Sequence, residues 1–303
     1  MPVAAPAARI GAHVSVAGGL SRALARADAV GAEAIQRFVA NPRAWASPEA
    51  DPLGDEAFRQ ACEQRRLPVF VHAPYLVNFG SPDARTLTES ARALAFSLRR
   101  GAAIGAHGVV LHAGWAVGAS AEQALRQVRE KLLPVLDSAW AQFSASALMP
   151  LALIEPTAGG VGALASDAPS LSRYLDALGR DQRVGVCLDT CHMHAAGHEL
   201  GSRDAFAGTL RAFGRAAGRG RVRLIHVNDS RDPAGSRRDR HAPIGQGTIG
   251  RDSFGALFAV PGIRGVPLVV ETAESDQAGD IATLKSLRAA ASVIAPAPPT
   301  VLP

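Results

Sequence analysis

The chain reads as an α/β protein of the (β/α)8 TIM barrel class, in a single domain. Three observations predict this. Short apolar or β-branched runs alternate with longer Ala/Leu/Arg segments of helical spacing. There are eight of each, over roughly 280 residues. The runs are nearly continuous in apolar character, as parallel strands buried on both faces are. A doubly wound open sheet would also alternate, but eight regular units favour closure.

The first four expected strands are 9–15 (RIGAHVS), 34–39 (AIQRFV), 68–74 (PVFVHAP) and 108–114 (GVVLHAG). The next four are 150–156 (PLALIEP), 184–190 (VGVCLDT), 222–229 (VRLIHVND) and 266–272 (VPLVVET). Helices are expected between them over 18–30, 55–66, 83–105, 120–142, 168–179, 203–217, 251–259 and 278–291. Residues 1–8 and 295–303 are rich in Pro and Ala and read as disordered tails, leaving 9–294 as the barrel. The segment 230–250 is charged, Gly-rich and too long for an ordinary strand-to-helix connection, which points to a functional loop.

Composition excludes several classes. Of the 303 residues 48% are hydrophobic and 19% charged, which rules out a disordered chain, a collagen-like chain and a disulfide scaffold. No apolar run approaches the ~20 residues of a membrane helix. The N-terminus lacks a basic segment followed by a long apolar stretch, so no secretory signal is expected. Three cysteines cannot all pair within the chain, which fits a reducing cytoplasm. The net charge of +5 comes almost wholly from Arg, since Lys131 and Lys285 are the only lysines. Abundant Ala, Gly, Pro and Arg together indicate a GC-rich coding bias. The charge permits an acidic partner such as nucleic acid without requiring one.

The chemistry collects where strands end. His13, His72, His112, Glu155, Asp189, His226, Asp229 and Glu271 close the expected strands. In this fold all carboxyl ends open on one face, where active sites sit, so these side chains converge on one pocket. In CLDTCHMH, Asp189 and His192 are three apart at a strand-to-helix turn and can share the mouth. In the long loop, Asp239 and His241 alternate and point the same way if the segment is extended. Imidazoles with carboxylates suit zinc, manganese or iron in a hydrolytic site. Cys187 and Cys191 flank Asp189 but lack a second Cys pair, and read as small buried apolar residues. His194 and His198 read as helix or loop residues. His107 is expected at the opposite face.

These motifs carry a resemblance. GAHVSVAGGL (11–20), NPRAW (41–45), HAPYLVN (72–78), VVLHAG (109–114) and LIEPTAGG (153–160) run in order. GVCLDTCHMHAAG (185–197), IHVNDS (225–230), GSRRDRHAPIGQGTIG (235–250) and LVVETA (268–273) follow. Together they resemble the zinc-dependent endonuclease IV family of apurinic/apyrimidinic (AP) endonucleases, over almost the whole barrel. The resemblance implies a trinuclear zinc site, with manganese compatible at one or more positions. His72 and His112 would hold the first ion, with Glu155 bridging it to the second. Asp189, His226 and Glu271 would complete the second, and His192, Asp239 and His241 would hold the third. Arg43, Tyr75 and Leu76 match the positions that probe the DNA. A guanidinium and an aromatic ring can stack in the gap left by a missing base, and wedges kink the duplex. The chain departs from the commonest family pattern at Ala113, where Pro is frequent, at Pro156, where Asn is, and at Gly160, where Gln is.

The implied reaction is hydrolysis of the phosphodiester 5′ to an abasic site in double-stranded DNA by a metal-activated hydroxide. Glu155 is the expected catalytic group, and the products are a 3′-hydroxyl and a 5′-deoxyribose phosphate. Removal of 3′-blocking groups is implied as well. The expected setting is the cytoplasm, at DNA damage, acting as a monomer with no membrane and no obligate protein partner. A metal-dependent sugar isomerase or epimerase would also be served by Glu155, Asp189, His226 and Glu271, but has no use for His192, Asp239 and His241. A damaged-DNA-binding protein without catalysis would have no need of an intact ligand set.

Overall fold

The computed structural model describes residues 7–142 and 149–294. The strands in chain order are β1 (Ile10–His13), β2 (Ile35–Phe38), β3 (Val69–His72), β4 (Ala106–His112) and β5 (Leu151–Glu155). They continue as β6 (Val184–Asp189), β7 (Val222–His226), β8 (Asp229–Ser230), β9 (His241–Ala242) and β10 (Leu268–Val270). All but β8 and β9 pair in parallel and close a barrel, with β1 hydrogen-bonded to β2 on one side and β10 on the other. The eight-stranded barrel is thus the fold the alternation predicts. β8, at the start of the long loop, and β9, within it, form a separate antiparallel ribbon.

The helices are α1 (Leu20–Ala29), α2 (Pro52–Gln64), α3 (Ala84–Ala103) and α4 (Ala121–Gln142). They are followed by α5 (Ala168–Ala177), α6 (Thr190–Ala195), α7 (Arg203–Ala217) and α8 (Glu274–Ile294). Several start on side-chain caps that the sequence supplies. Asp51 accepts from the Gly54 N–H just ahead of Pro52, so α2 begins three residues before the expected 55. Asp83 caps α3, Ser202 caps α7, and Asp167 forms a reciprocal capping box with Ser170 on α5. The expected helix over 251–259 is a 3-10 helix, Arg251–Phe258. None of the helices among the described residues is long and apolar enough to cross a membrane.

The barrel interior and its mouth follow from one parity rule. Ala34, Phe70, Val110, Leu153, Cys187, Leu224 and Val269 form a buried cluster distinct from the larger core under the helices. Each comes from a different strand or its edge. Side chains two residues apart on a strand share a face. The next inward positions are therefore Gln36, His72, His112, Glu155, Asp189, His226 and Glu271. Below the cluster, room for Leu153 comes from glycine: a Cβ at Gly108 or Gly185 would lie 2.5 or 2.7 Å from its methyl carbons.

The expected C-terminal tail, 295–303, lies outside the described residues, as do residues 1–6 of the N-terminal one. Ala8 is buried, and its carbonyl accepts from Arg288 of α8 at 2.6 Å. The same guanidinium pairs with Glu33, whose carboxylate also accepts from the Ile10 N–H at 3.1 Å. First strand, second strand and last helix are thereby tied together where the barrel closes.

This closure predicts a pH-dependent stability term. Burial pushes the Glu33 carboxyl up, but the hydrogen bonds from Arg288 and Ile10 outweigh it and hold the carboxyl below its usual range. A depressed carboxylate contributes stability at neutral pH that is lost as pH falls through its folded value. Glu33→Gln should therefore lower the unfolding free energy by about 1 kcal/mol at neutral pH, given its partial exposure. The difference should persist down to about pH 4 and shrink below it, as pH falls through the depressed folded value. Urea unfolding across that range measures it; a difference that does not change with pH contradicts the assignment.

Candidate metal centre

Three sets of side chains meet at the barrel mouth. In the first, His72 and His112 end β3 and β4 and Glu155 ends β5. Glu155 Oε2 lies 3.4 Å from His72 Nε2 and 3.6 Å from His112 Nε2. His72 Nδ1 donates to the Ala73 carbonyl at 2.6 Å, so Nε2 is the nitrogen left with a lone pair toward Glu155.

The second set surrounds His226 at the end of β7. Its Nδ1 lies 2.9 Å from Glu155 Oε1, 3.2 Å from Glu271 Oε2 and 3.8 Å from Asp189 Oδ2. The third set joins α6 to the long loop. His192 Nε2 is 3.2 Å from Asp239 Oδ2, and His241 Nε2 is 2.9 Å from Asp239 Oδ1. Asp189 caps α6 by accepting from the His192 N–H at 2.9 Å, which sets His192 on the first turn facing the mouth. All nine sequence-predicted ligand positions are thus brought together. Ligand atoms of His72, His112 and Glu155, and of His192, Asp239 and His241, lie within 4.8 Å of one another in each group.

Two features fit a cation here. Glu155 Oε2 is buried without a hydrogen-bond partner, and His241 Nε2, although close to Asp239 Oδ1, makes no aligned hydrogen bond; both are unfavourable for buried polar atoms unless a further ligand satisfies them. The donors are imidazoles and carboxylates, the set that divalent ions prefer. Electrostatics agree. Burial would lower His192, His226 and His241, but the surrounding carboxylates raise them, His241 to about 9. Burial would raise Glu155, but His226 and the other imidazoles pull it well below the usual carboxylate range. Protons on imidazole therefore offset the carboxylate charge in the metal-free protein. His112, desolvated and beside other imidazoles, is pushed down to about 4.

The two cysteines of this region lie close to the ligand sets but are buried. Burial pushes the Cys187 thiol up to about 12, and Cys191 higher still. Both pack as neutral, small groups, as expected.

Tyr75 and Leu76 stand on the loop after β3 and are 44% and 38% exposed, unusual for large apolar side chains. The Tyr75 ring packs edge-on to His72 and nearly parallel to His112, with centroids 5.3 and 5.7 Å apart. The Tyr75 N–H donates to the Pro42 carbonyl at 3.0 Å, so the exposed Arg43 is carried on a loop fastened to the same rim.

Other strand-end groups behave differently. Asp229 does not join the ligand sets. It is fully buried and accepts from the N–H groups of Ser230, Gly245, Gly247 and Ile249. It folds the long loop back on itself, because backbone donors there have no other partner. His194 helps, with Nε2 3.0 Å from Thr248 Oγ1, and His198 meets the Ser166 carbonyl at 2.9 Å. His107 lies within β4, not ahead of it, near its amino end and exposed.

Two mouth residues escape a reading that looks for charge. Asn228 donates to Asp189 Oδ2 at 2.8 Å and accepts from the Glu271 N–H at 2.9 Å. Gln36 is fully buried among His13, His226 and Glu271. The parity of β2 was the available signal for Gln36. The three departures from the family pattern act through backbone. The Ala113 N–H donates to the Glu155 carbonyl at 2.9 Å, a bond that Pro would lack. The Pro156 carbonyl accepts from His192 Nδ1 at 3.0 Å. Gly160 has φ +110°, which suits glycine.

Comparisons with known proteins agree with this geometry. Residues 24–293 match the family model described as Xylose isomerase-like TIM barrel. A protein of Streptomyces coelicolor named "Probable endonuclease 4" is 49% identical over 283 residues, covering 92% of this chain and 95% of that protein. The crystal structure of endonuclease IV from Thermus thermophilus superposes with a TM-score of 0.79 at 33% identity, covering 92% of this chain and 98% of that one. A D-tagatose 3-epimerase-like protein shares the fold, with a TM-score of 0.71 at 17% identity and coverage of 94% of this chain and 98% of that one. Its low identity carries nothing further. Near-complete overlap with endonuclease IV proteins, in sequence and in structure, means that this chain belongs to the endonuclease IV family of xylose isomerase-like TIM barrels.

Proposed function

We propose that the protein is a DNA-repair hydrolase that cuts the phosphodiester 5′ to an abasic site and also clears 3′-blocking groups. The family's endonuclease name supports the hydrolase class. The finer reading rests on one observation: three imidazole–carboxylate sets converge on Glu155, whose Oε2 is buried with no partner. The third set, His192, Asp239 and His241, is what an epimerase on this barrel would not need.

His72, His112 and Glu155 would hold one ion, Glu155, Asp189, His226 and Glu271 a second, and His192, Asp239 and His241 a third. Zinc suits this donor set best, with manganese as the alternative. Bound ions would supply a water acidic enough to ionise near neutral pH and positive charge opposite the phosphate. Glu155 directs Oε2 toward the first set and Oε1 toward the second. Its carboxylate would orient the attacking water, whose proton is lost to solvent because the ions lower its pKa. Asp189 fixes His192 through the α6 cap, so the second and third sets keep register. Tyr75 roofs His72 and His112 and limits water at that side. Leu76 and Arg43 enter the duplex at the lesion, where the missing base lowers the unstacking penalty. A single chain carries every group this scheme uses.

Incision of a duplex with one abasic analogue, with and without a strong chelator, tests the reading. Metal-replete protein should cut on the 5′ side, and chelation should abolish cutting. Glu155→Gln should lower the rate by about 100-fold or more. Intact substrate after incubation with metal-replete wild type sinks the assignment, and full activity in Glu155→Gln removes the role given to that carboxylate.

Leu76→Ala should weaken binding to the abasic duplex about tenfold, because an inserted wedge is worth about 1–3 kcal/mol. Its metal content and melting temperature should match wild type. Unchanged affinity in a filter-binding assay would exclude Leu76 as a wedge.

Loading should also be linked to protons. Raised imidazoles are protonated near neutral pH, and ligation requires them neutral. Adding zinc to chelated protein near pH 7 should therefore acidify a weakly buffered solution, and affinity should fall as pH is lowered. A pH-stat titration reads the release directly; zinc uptake without acidification contradicts the charge state described above.

A further inference from the structure

We propose that Gln36 is a positioning residue for the Asp189–His226–Glu271 set: it fixes which ring nitrogen of His226 faces a bound ion and holds Glu271 at the mouth. The proposal rests on reading that set as a metal site.

Gln36 sits on β2 at an inward position, paired to His13 of β1 and Phe70 of β3. It is fully buried, so each of its amide atoms requires a partner inside the protein. The amide orientation is determined by chemistry. Its nearest neighbours include Glu271 Oε1 at 2.7 Å, and an ionised carboxylate only accepts. The atom facing it is therefore the NH2 group. The carbonyl oxygen then faces His226 Nε2 at 2.8 Å, and that nitrogen must be an N–H donor. Flipping the amide would set two oxygens against each other at Glu271.

With Nε2 holding a proton, Nδ1 is the nitrogen of His226 that can ligate. Nδ1 is also the atom that lies between Glu155, Glu271 and Asp189. The same amide nitrogen lies 2.9 Å from His13 Nδ1, which itself lies 3.2 Å from Glu271 Oε1. One neutral side chain thus sets a tautomer, anchors a carboxylate and ties both to β1. On the opposite side Asn228 donates to Asp189 Oδ2 at 2.8 Å, so the set is held from two directions. Groups behind metal ligands typically alter metal affinity 10–100-fold.

Gln36→Met keeps length and apolar bulk but removes every one of these hydrogen bonds. Zinc binding is measured on chelated protein by competition with a chromophoric chelator, alongside nitrogen-15 spectra of the imidazoles in the zinc-loaded protein. Wild type should load His226 through Nδ1, with its proton on Nε2. The Met variant should lose affinity for one ion by about 10–100-fold, with the other ions within about twofold of wild type. Metal-free wild type and variant should melt within a few degrees of each other. If the Met variant does not fold, Gln36→Asn withdraws the same amide by one methylene and should give a smaller loss at the same ion. Zinc affinities unchanged for all ions in the folded variants, or His226 ligating through Nε2 in wild type, would overturn the proposal. Wild type that takes up no zinc overturns the metal reading itself, a different result from a variant that matches wild type.

Discussion

Glu155 carries a charge in the middle of the barrel mouth, almost wholly shielded from water. A buried carboxylate is strongly unfavourable unless it is paired and hydrogen-bonded. Here four imidazoles approach its two oxygens, from β3, β4, α6 and β7. One oxygen still lacks a partner. The surrounding groups make sense as a response to that constraint: burial would lower His192 and His226, but their neighbours raise both, so these two imidazoles can carry positive charge beside the carboxylate.

The fold meets the requirement by geometry. Closing eight parallel strands turns alternate side chains inward, and the last inward position of each strand meets the others at one end. Val110 and His112, Leu153 and Glu155, or Cys187 and Asp189 differ by a single step along that pattern. The lower residue packs, and the upper one joins the imidazole–carboxylate sets at the mouth. Packing and the candidate site share the same strands, and the tie at Glu33, Ala8 and Arg288 joins the first strand to the last helix at the opposite end of the barrel, where β1 and β2 begin.

The third donor set is assembled by different means. His192 belongs to a six-residue helix that the strand-and-helix periodicity does not reveal, started by the Asp189 cap. Asp239 and His241 stand on a loop held by the β8–β9 ribbon and by the buried Asp229. Asp229 and Asp189 are both strand-end carboxylates in the sequence. One finds backbone N–H donors and organises a loop, while the other finds imidazoles and enters the site. Nothing local to either residue distinguishes them.

The sequence by itself determined the barrel, because apolar runs of period two and helical segments of period 3.6 are written in the order of residues. It also pointed to the nine side chains that converge at the mouth, through strand ends, the long-loop motif and the family resemblance those motifs carry. Tertiary structure alone decided the rest: that Gln36 and Asn228 hydrogen-bond the side chains of the mouth, that Asp229 turns to loop N–H groups instead, that Ala8 belongs to the core, and that Arg43 shares a rim with Tyr75. The physical reason is range. Periodicity and caps depend on neighbours a few residues away, whereas the partner of a buried amide or carboxylate is set by strands far apart in sequence, 235 residues for Gln36 and Glu271.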